Sequence, residues 1–156
     1  MRATLNALEN GNTVEETDEA MLSLGMPMAP SVVLQMVGPR VANHVLETMH
    51  DAYPDRFPLS PTLARLAEGN DEPVLTGEAR RTVDEIRGDV LAAAADEIRH
   101  LLDEGVVGAA ADVDACLILG AGYPFFLGGI TKHLDQTGIS AQVSGGELAG
   151  AGKIPA

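Results

Sequence analysis

The side chains in this chain that could do chemistry are scattered, and their spacing limits what they can do. Glu15, Glu16, Asp18 and Glu19 could be taken for paired carboxylates doing acid–base work. They follow Thr13 in a T-x-x-E capping box, however, so they read as the solvated first turns of a helix, favoured there by its dipole. His44 and His50 lie six apart and cannot share a helix face as an i, i+4 metal pair would. Cys116 is the single cysteine and reads as a small buried hydrophobe. Lys132 stands beside His133 and near Asp135; it could reach a phosphate but reads as a surface lysine. Arg80, Arg81, Arg87 and Arg99 are interleaved with acids and form a solvated face rather than an anion site. Met26, Pro27, Met28, Ala29 and Pro30 are a different matter. Two prolines forbid helix there, and flexible thioethers suit an adaptable apolar wall for an acyl chain, although plain core filling would read the same.

The sequence has no Gly-x-Gly-x-x-Gly after a strand, no P-loop, no HExxH, no C-x-x-C and no G-x-S-x-G. No catalytic or metal-ligating residue is assigned, and a metal-dependent hydrolase has no supporting spacing. A dinucleotide needs a Gly-rich turn at a helix N-terminus to hold its pyrophosphate, so no cofactor is expected on this chain.

Composition narrows the class further. With 156 residues, 46% hydrophobic and 21% charged, the chain suits a globular fold with a real core. The formal charge of −13, from 23 acids against 10 bases, argues against nucleic acid and anionic membranes as partners. A lone cysteine fits a reducing compartment. The first residues lack a signal peptide's basic start and apolar run, and the longest uncharged stretch is too short to span a bilayer. These features point to a soluble, cytoplasmic protein without a membrane span.

Periodicity and punctuation predict helices almost throughout. The first covers residues 2–9 and starts abruptly. A capped helix follows over 14–24, with Gly25 at its left-handed end. Residues 31–37 are apolar nearly all round, the mark of a buried helix. Past Gly38-Pro39 a helix runs to Tyr53, with Val41, Val45, Met49 and Ala52 forming a stripe and Leu46 beside it, suited to a core or a subunit interface. Ser60 caps a short helix with Pro61 at its first position. A polar linker leads to a long helix over 78–102, in which Leu91, Ala94, Ile98 and Leu101 repeat at three and four. Asp112 or Asp114 opens the next helix, ending at Leu119. Tyr123, Pro124, Phe125 and Phe126 make an apolar turn that packs between repeats or subunits, and a last helix covers 128–137.

The order of features repeats. Residues 8–38 and 102–138 each run from the end of a polar helix through a glycine (Gly11, Gly105), an acidic helix ending Leu-Gly, a Pro-bearing apolar turn, and a helix with Leu and Gly four apart. Matched glycines lie roughly 94 apart at the start and roughly 100 apart at Gly38 and Gly138, so the second copy carries extra residues in its turn. The expected organisation is a first helical repeat over 1–69, lacking the start of its first helix, a linker over 70–77, a second repeat over 78–143 and a mobile tail over 144–156.

The same residues carry a family resemblance. The string LDEGVV, followed by D-x-x-L-I-L-G-A-G-Y-P-F-F-L-G-G-I-T-K-x-L-D-x-x-G, resembles the second C-terminal helical repeat of the 3-hydroxyacyl-CoA dehydrogenases, above all the multifunctional fatty-acid β-oxidation enzymes. LGMPMAPSVVLQMVG, residues 24–38, resembles the first repeat's Leu-Gly-x-Pro-Met-x-Pro pattern. The likeness covers roughly 70 of the 156 residues; the family's Gly- and aromatic-rich segment between the repeats has no counterpart here.

The resemblance implies an all-α fold of duplicated helical repeats packed as one domain, like the C-terminal domain of 6-phosphogluconate dehydrogenase. It also implies the C-terminal domain of an NAD-dependent enzyme that oxidises L-3-hydroxyacyl-CoA to 3-ketoacyl-CoA. NAD and the catalytic His–Glu pair would belong to an N-terminal domain of the same enzyme, and the family's active-site Asn would fall upstream of Met1. This chain would be inactive alone. It would supply acyl-chain contacts through Met26, Pro27, Met28 and Pro30, and would form a homodimer. The alternative from a different class is a free-standing helical assembly module without ligand.

Overall fold

The computed structural model describes residues 2–151. Among them lie nine α-helices and one 3-10 turn, with no strand, as expected of an all-α chain. Two compact units share them: one holds the described residues up to Ser23 with Met28–Ile86, the other Leu24–Pro27 with the residues from Arg87 on.

In the first unit, α1 (Arg2–Glu9) turns Leu5 toward one small cluster and Ala7 toward another. The capping box at Thr13 and Glu16 opens α2 (Val14–Leu22): the Glu16 N–H donates to Thr13 Oγ1, and the Thr13 N–H donates to Glu16 Oε2. Proline at the first position, where an N–H would have no partner anyway, starts α3 (Pro30–Val37), α4 (Pro39–Ala52) and α5 (Pro61–Ala67). Leu5, Ala42 and fully buried Leu63 form the main cluster, joined by Leu8, Leu34 and Leu46.

One expectation fails here, and of the two roles expected for the α4 stripe, core or subunit interface, the core one fails as well. No residue of α3 is buried, and Val32, Met36 and Val37 are exposed. The helix has no charged residue, only Ser31 and Gln35, to fix which side turns inward, and Leu34 is the residue that reaches the cluster. On α4 the inward face is Ala42 and Leu46, one residue round from the expected stripe, so Val41, Val45 and Met49 face out.

Residues 70–77, read as a linker, are tied into this unit. The Val74 N–H donates to Thr62 Oγ1 at 3.0 Å, and the Thr76 and Gly77 N–H groups donate to the Glu9 carbonyl at 2.8 and 3.1 Å. Buried Asn12 mimics a strand partner: its amide donates to the Arg81 carbonyl at 2.8 Å and accepts from the Arg81 N–H at 2.9 Å. A second capping box, Thr82 with Glu85, opens α6 (Val83–Asp103) later than periodicity suggests. This helix runs unbroken past Gly88, and the boundary between units falls inside it, after Ile86.

The second unit is built on α6, where Leu91, Ala95 and Ile98 are buried. Against them pack Val113 of α7 (Ala110–Ala121), Tyr123, Ile130 and Leu134 of α8 (Ile130–Gln136), and Leu148. A 3-10 turn, Phe125–Leu127, joins α7 to α8. A short α9 (Ile139–Ser144) follows. Beyond it the chain does not run free as the sequence suggests. Leu148 is fully buried, its N–H and that of Ala149 donate to the Asp135 carboxylate at 2.9 and 2.8 Å, and the Ala110 N–H donates to the Ala151 carbonyl at 3.0 Å. The rest of the expected tail, 152–156, lies outside the described residues.

Replacing Leu148 with Ala removes buried methyl groups and leaves a cavity, so Leu148→Ala is expected to cost about 3 kcal/mol in urea unfolding. A truly free tail would give no change.

Candidate functional site

The Pro-bearing turns that the sequence marks as candidates are held by one device used twice. Asp18, on α2, accepts from the Ser31 N–H at 3.0 Å and from the Ser31 hydroxyl at 2.5 Å. Asp114, on α7, accepts from the Thr131 N–H at 2.9 Å and hydroxyl at 2.7 Å. Ser31 and Thr131 are each the second residue of the helix after the turn, α3 or α8. Neither helix has a side-chain cap of its own, since Ala29 and Gly129 stand at the N-cap positions. A carboxylate from the preceding helix therefore satisfies an N–H that would otherwise be orphaned.

This corrects two sequence readings. Asp18 belongs to a clamp rather than to a solvated helix start. Asp114 does not open its own helix, because α7 begins earlier, behind Ala109, and runs on to Ala121. The clamp spans 13 residues in the first copy and 17 in the second, and most of the difference lies in the end of α7, which runs on past Asp114 further than α2 does past Asp18. Gly129 carries a positive φ of 100°, and a Cβ there would run into the Asp114 carboxylate. Only glycine permits that approach.

The turn of the first copy is divided between the units. Leu24 and Met26 pack against the Leu91–Leu134 cluster of the second unit, although they precede α3 in sequence. Gly122 comes so close to Pro27 that an added Cβ would sit 2.7 Å from the proline ring. One added at Gly25 would lie 3.1 Å from Pro124 and 3.2 Å from the Phe126 ring. Met28 and Pro30 belong to the first unit, where Met28 is 44% exposed and Pro30 starts α3. The four residues expected to contact substrate are thus not gathered in one unit. A cavity of about 280 Å³ in the first unit has none of them in its wall; α1, Leu46 and the 58–60 loop line it.

Sequence reasoning missed a polar pair in the second unit. The hydroxyl of Tyr123, 5% exposed, lies 2.6 Å from Nδ1 of His133. Burial, with the nearby Asp114 charge, pushes the tyrosine pKa up to about 12, and burial holds the histidine below its usual value. Both groups are thus held in their neutral forms, sharing one proton across the contact. The spacing of ten residues across a Pro-bearing turn gave no signal of this contact.

The remaining candidates lie apart. Cys116 is exposed rather than buried. His44 faces solvent, and His50 Nδ1 lies 2.9 Å from the Phe57 carbonyl. Phe125 and Phe126, expected at a packing join, are 76% and 69% exposed and meet edge to face. Among the described residues no group of three His, Cys, Asp or Glu could hold a metal ion. Arg80 pairs with Glu16 at 2.7 Å, in keeping with a charge-interleaved face.

Comparison with known proteins places the chain among a specific set. Residues 1–79 match the family model for the 3-hydroxyacyl-CoA dehydrogenase C-terminal domain. The fatty acid oxidation complex subunit alpha of Acinetobacter baumannii (strain SDF) is 26% identical over 172 residues, covering 88% of this chain and 24% of that protein. Its counterpart in Acinetobacter baylyi (strain ATCC 33305 / BD413 / ADP1) is 26% identical over 174 residues, with the same coverage. The chain thus spans about a quarter of the length of these relatives.

The geometry yields two measurable outcomes. Asp114→Ala strips the clamp from α8 and is expected to cost about 2 kcal/mol in urea unfolding, the range of a hydrogen-bonded charged cap. The second outcome concerns pH. His133 binds its proton less readily folded than unfolded, so its contribution is present above 6.5, the ordinary value, and is lost as pH falls through the lower folded value. The urea midpoint should fall on acidification just below pH 6.5, and His133→Phe should abolish that limb. The carboxylates held down by N–H groups, Glu16 by Thr13 and Glu85 by Thr82, act only below 4.5, so the two windows are separate.

Proposed function

Because this chain belongs to the family of 3-hydroxyacyl-CoA dehydrogenase C-terminal domains, we propose that it serves as the substrate-side and assembly part of an NAD-dependent 3-hydroxyacyl-CoA dehydrogenase of fatty-acid β-oxidation. The reaction is oxidation of L-3-hydroxyacyl-CoA to 3-ketoacyl-CoA. Met26, Pro27, Met28 and Pro30 contribute an apolar wall for the acyl chain, and the chain forms a homodimer. The observation that carries the substrate-side reading is the stretch from Gly25 to Pro39, which holds no charged residue in a chain of formal charge −13 and leaves the Met28 thioether exposed. Such a surface suits a flexible hydrocarbon chain better than water.

On this reading NAD is held elsewhere in the enzyme, by an N-terminal dinucleotide-binding domain. The physical reason is local. The N-termini of α3 and α8 follow Pro- and Gly-bearing turns, as a pyrophosphate cradle would require, but each already holds an aspartate carboxylate. A pyrophosphate would meet both a like charge and occupied space. The residues present do not fit the dinucleotide, so hydride transfer and proton removal belong to groups outside this chain. Among the described residues no helix is long and apolar enough to cross a membrane, which is compatible with a cytoplasmic site of action.

Two measurements test the proposal. The isolated chain, mixed with NADH and acetoacetyl-CoA, should oxidise no NADH; turnover near that of a complete enzyme would overturn the division of labour. Methyl NMR of the methionines should show Met26 and Met28 shifting with a long-chain acyl-CoA and staying still with CoA alone. If neither moves, the acyl wall is wrong, and a helical assembly module without ligand becomes the better account.

A further inference from the structure

We propose that the cavity between α1 and the 58–60 loop is a binding site for an ω-amino acid, a zwitterion whose ammonium and carboxylate are separated by a chain of methylenes. Its volume of about 280 Å³ falls just below the range of drug-sized pockets, which suits a small ligand. Glu9 stands in its wall and is 8% exposed. One carboxylate oxygen, Oε1, accepts from the Ser60 hydroxyl at 2.6 Å and from the Thr62 N–H at 3.3 Å. The other, Oε2, accepts from no described residue, yet it is not sealed off. Among the described residues no cation pairs with either oxygen. Buried charges are ordinarily paired, because desolvation penalises a lone one. A carboxylate left open in a cavity wall therefore calls for a cationic donor.

The rest of the wall decides which cation fits. A hard metal ion takes roughly six or more oxygens. Here Ser60 already gives its proton to Glu9, and the Asn6 side-chain oxygen accepts from the Asn10 amide at 3.2 Å. Leu5, Leu46, Pro58 and Leu59 make the remaining surface hydrocarbon, which favours methylenes over a hydrated ion. Arg2 supplies the second charge. It lines the same cavity, where its guanidinium donates to the Arg56 carbonyl at 3.5 Å and does not pair with Glu9. Further guanidinium N–H groups remain for a carboxylate. Glu9 and Ser60 are buried whereas Arg2 and Leu59 are exposed, so the cavity runs from an acidic floor to a basic mouth. Seven residues apart on α1, Arg2 and Glu9 leave one helix face about 10 Å from each other along the axis. An α-amino acid, whose two charges flank a single carbon, is too short to meet both; an ω-amino acid spans them with its methylenes on the leucines. None of Met26, Pro27, Met28 and Pro30 lines this cavity, so the site is separate from the acyl wall.

The test is isothermal titration calorimetry of the full chain with 6-aminohexanoate, with circular dichroism to verify the folding of each variant. The expected result is saturable binding at one site with Kd below about 1 mM, and at least about tenfold weaker binding of hexylamine, hexanoate and leucine, none of which can meet both ends. Glu9→Gln keeps a carbonyl oxygen for Ser60 and Thr62 but loses the charge, and should weaken 6-aminohexanoate at least about tenfold. Arg2→Gln should weaken it likewise while leaving hexylamine no weaker. Arg2 is exposed, so this arm stands even if Glu9→Gln disturbs the fold. Absence of saturable binding, as from a cavity that holds water only, overturns the proposal. So does binding that Arg2→Gln or a folded Glu9→Gln leaves unchanged, or hexylamine or hexanoate binding as tightly as the zwitterion. Neither result touches the acyl wall, which the methionine titration reads with a long-chain acyl-CoA.

Discussion

In each unit, the helix after the apolar turn is anchored by a carboxylate from the helix before it. A helix start exposes N–H groups with no partner of their own, and at α3 and α8 the N-cap residues, Ala29 and Gly129, have no side chain to offer. Asp18 and Asp114 supply the missing acceptor from a distance, and each takes a hydroxyl as well. Hydrogen bonds to an ionised group are roughly twice as strong as neutral ones, and a negative charge is favoured at the positive end of a helix. One side chain thus fixes the entry angle of the following helix and closes the turn between. The turn itself is then free to be apolar, glycine-rich and poor in regular structure.

The same anchor is kept although the two copies differ in length between its ends. Counted along the chain, equivalent residues lie 94 apart at Gly11 and Gly105, 96 apart at the two aspartates, and 100 apart at Ser31 and Thr131. The offset jumps between clamp donor and clamp acceptor, where the chain is constrained only at its ends. Most of the extra residues lengthen α7, which runs to Ala121, seven residues past its aspartate, where α2 stops at Leu22, four past Asp18; the connection that follows is only one residue longer and holds the 3-10 segment. Tyr123, before Pro124, is buried against His133; in the first copy Met26 precedes Pro27 and Val33 stands two residues after the clamp partner, so no polar pair forms there.

Function follows from what the clamps exclude and what they expose. A helix N-terminus that already holds a carboxylate offers no welcome to a phosphate, so the fold puts its helix dipoles to structural use. Exposed hydrocarbon is found in the turn at Met28, on α3 at Val32, Met36 and Val37, and on α4 at Val41 and Val45. Buried apolar area stabilises by roughly 25 cal/mol per Å². On the reading proposed above, these side chains are covered by substrate or by protein.

Much of this was readable in the sequence because it is local. Thr13 with Glu16 and proline at the starts of three helices act within one turn of chain, and the helices they open are found where the residues put them. The order of glycines, prolines and leucines in the two copies carried the family. What the sequence left open is which side of an element turns inward and which distant groups meet. Val33 and Leu34 look alike in a helix without charged residues, and Val41 and Ala42 differ by 100° of rotation that composition cannot assign. Asp114 reads as a cap for its own helix until the chain is folded back, when the nearest unsatisfied N–H proves to be that of Thr131, 17 residues on. Leu148 reads as part of a loose tail until Asp135 supplies acceptors for its backbone. Helix starts are settled by neighbours a few residues away; facing and burial are settled by partners that only tertiary packing brings near.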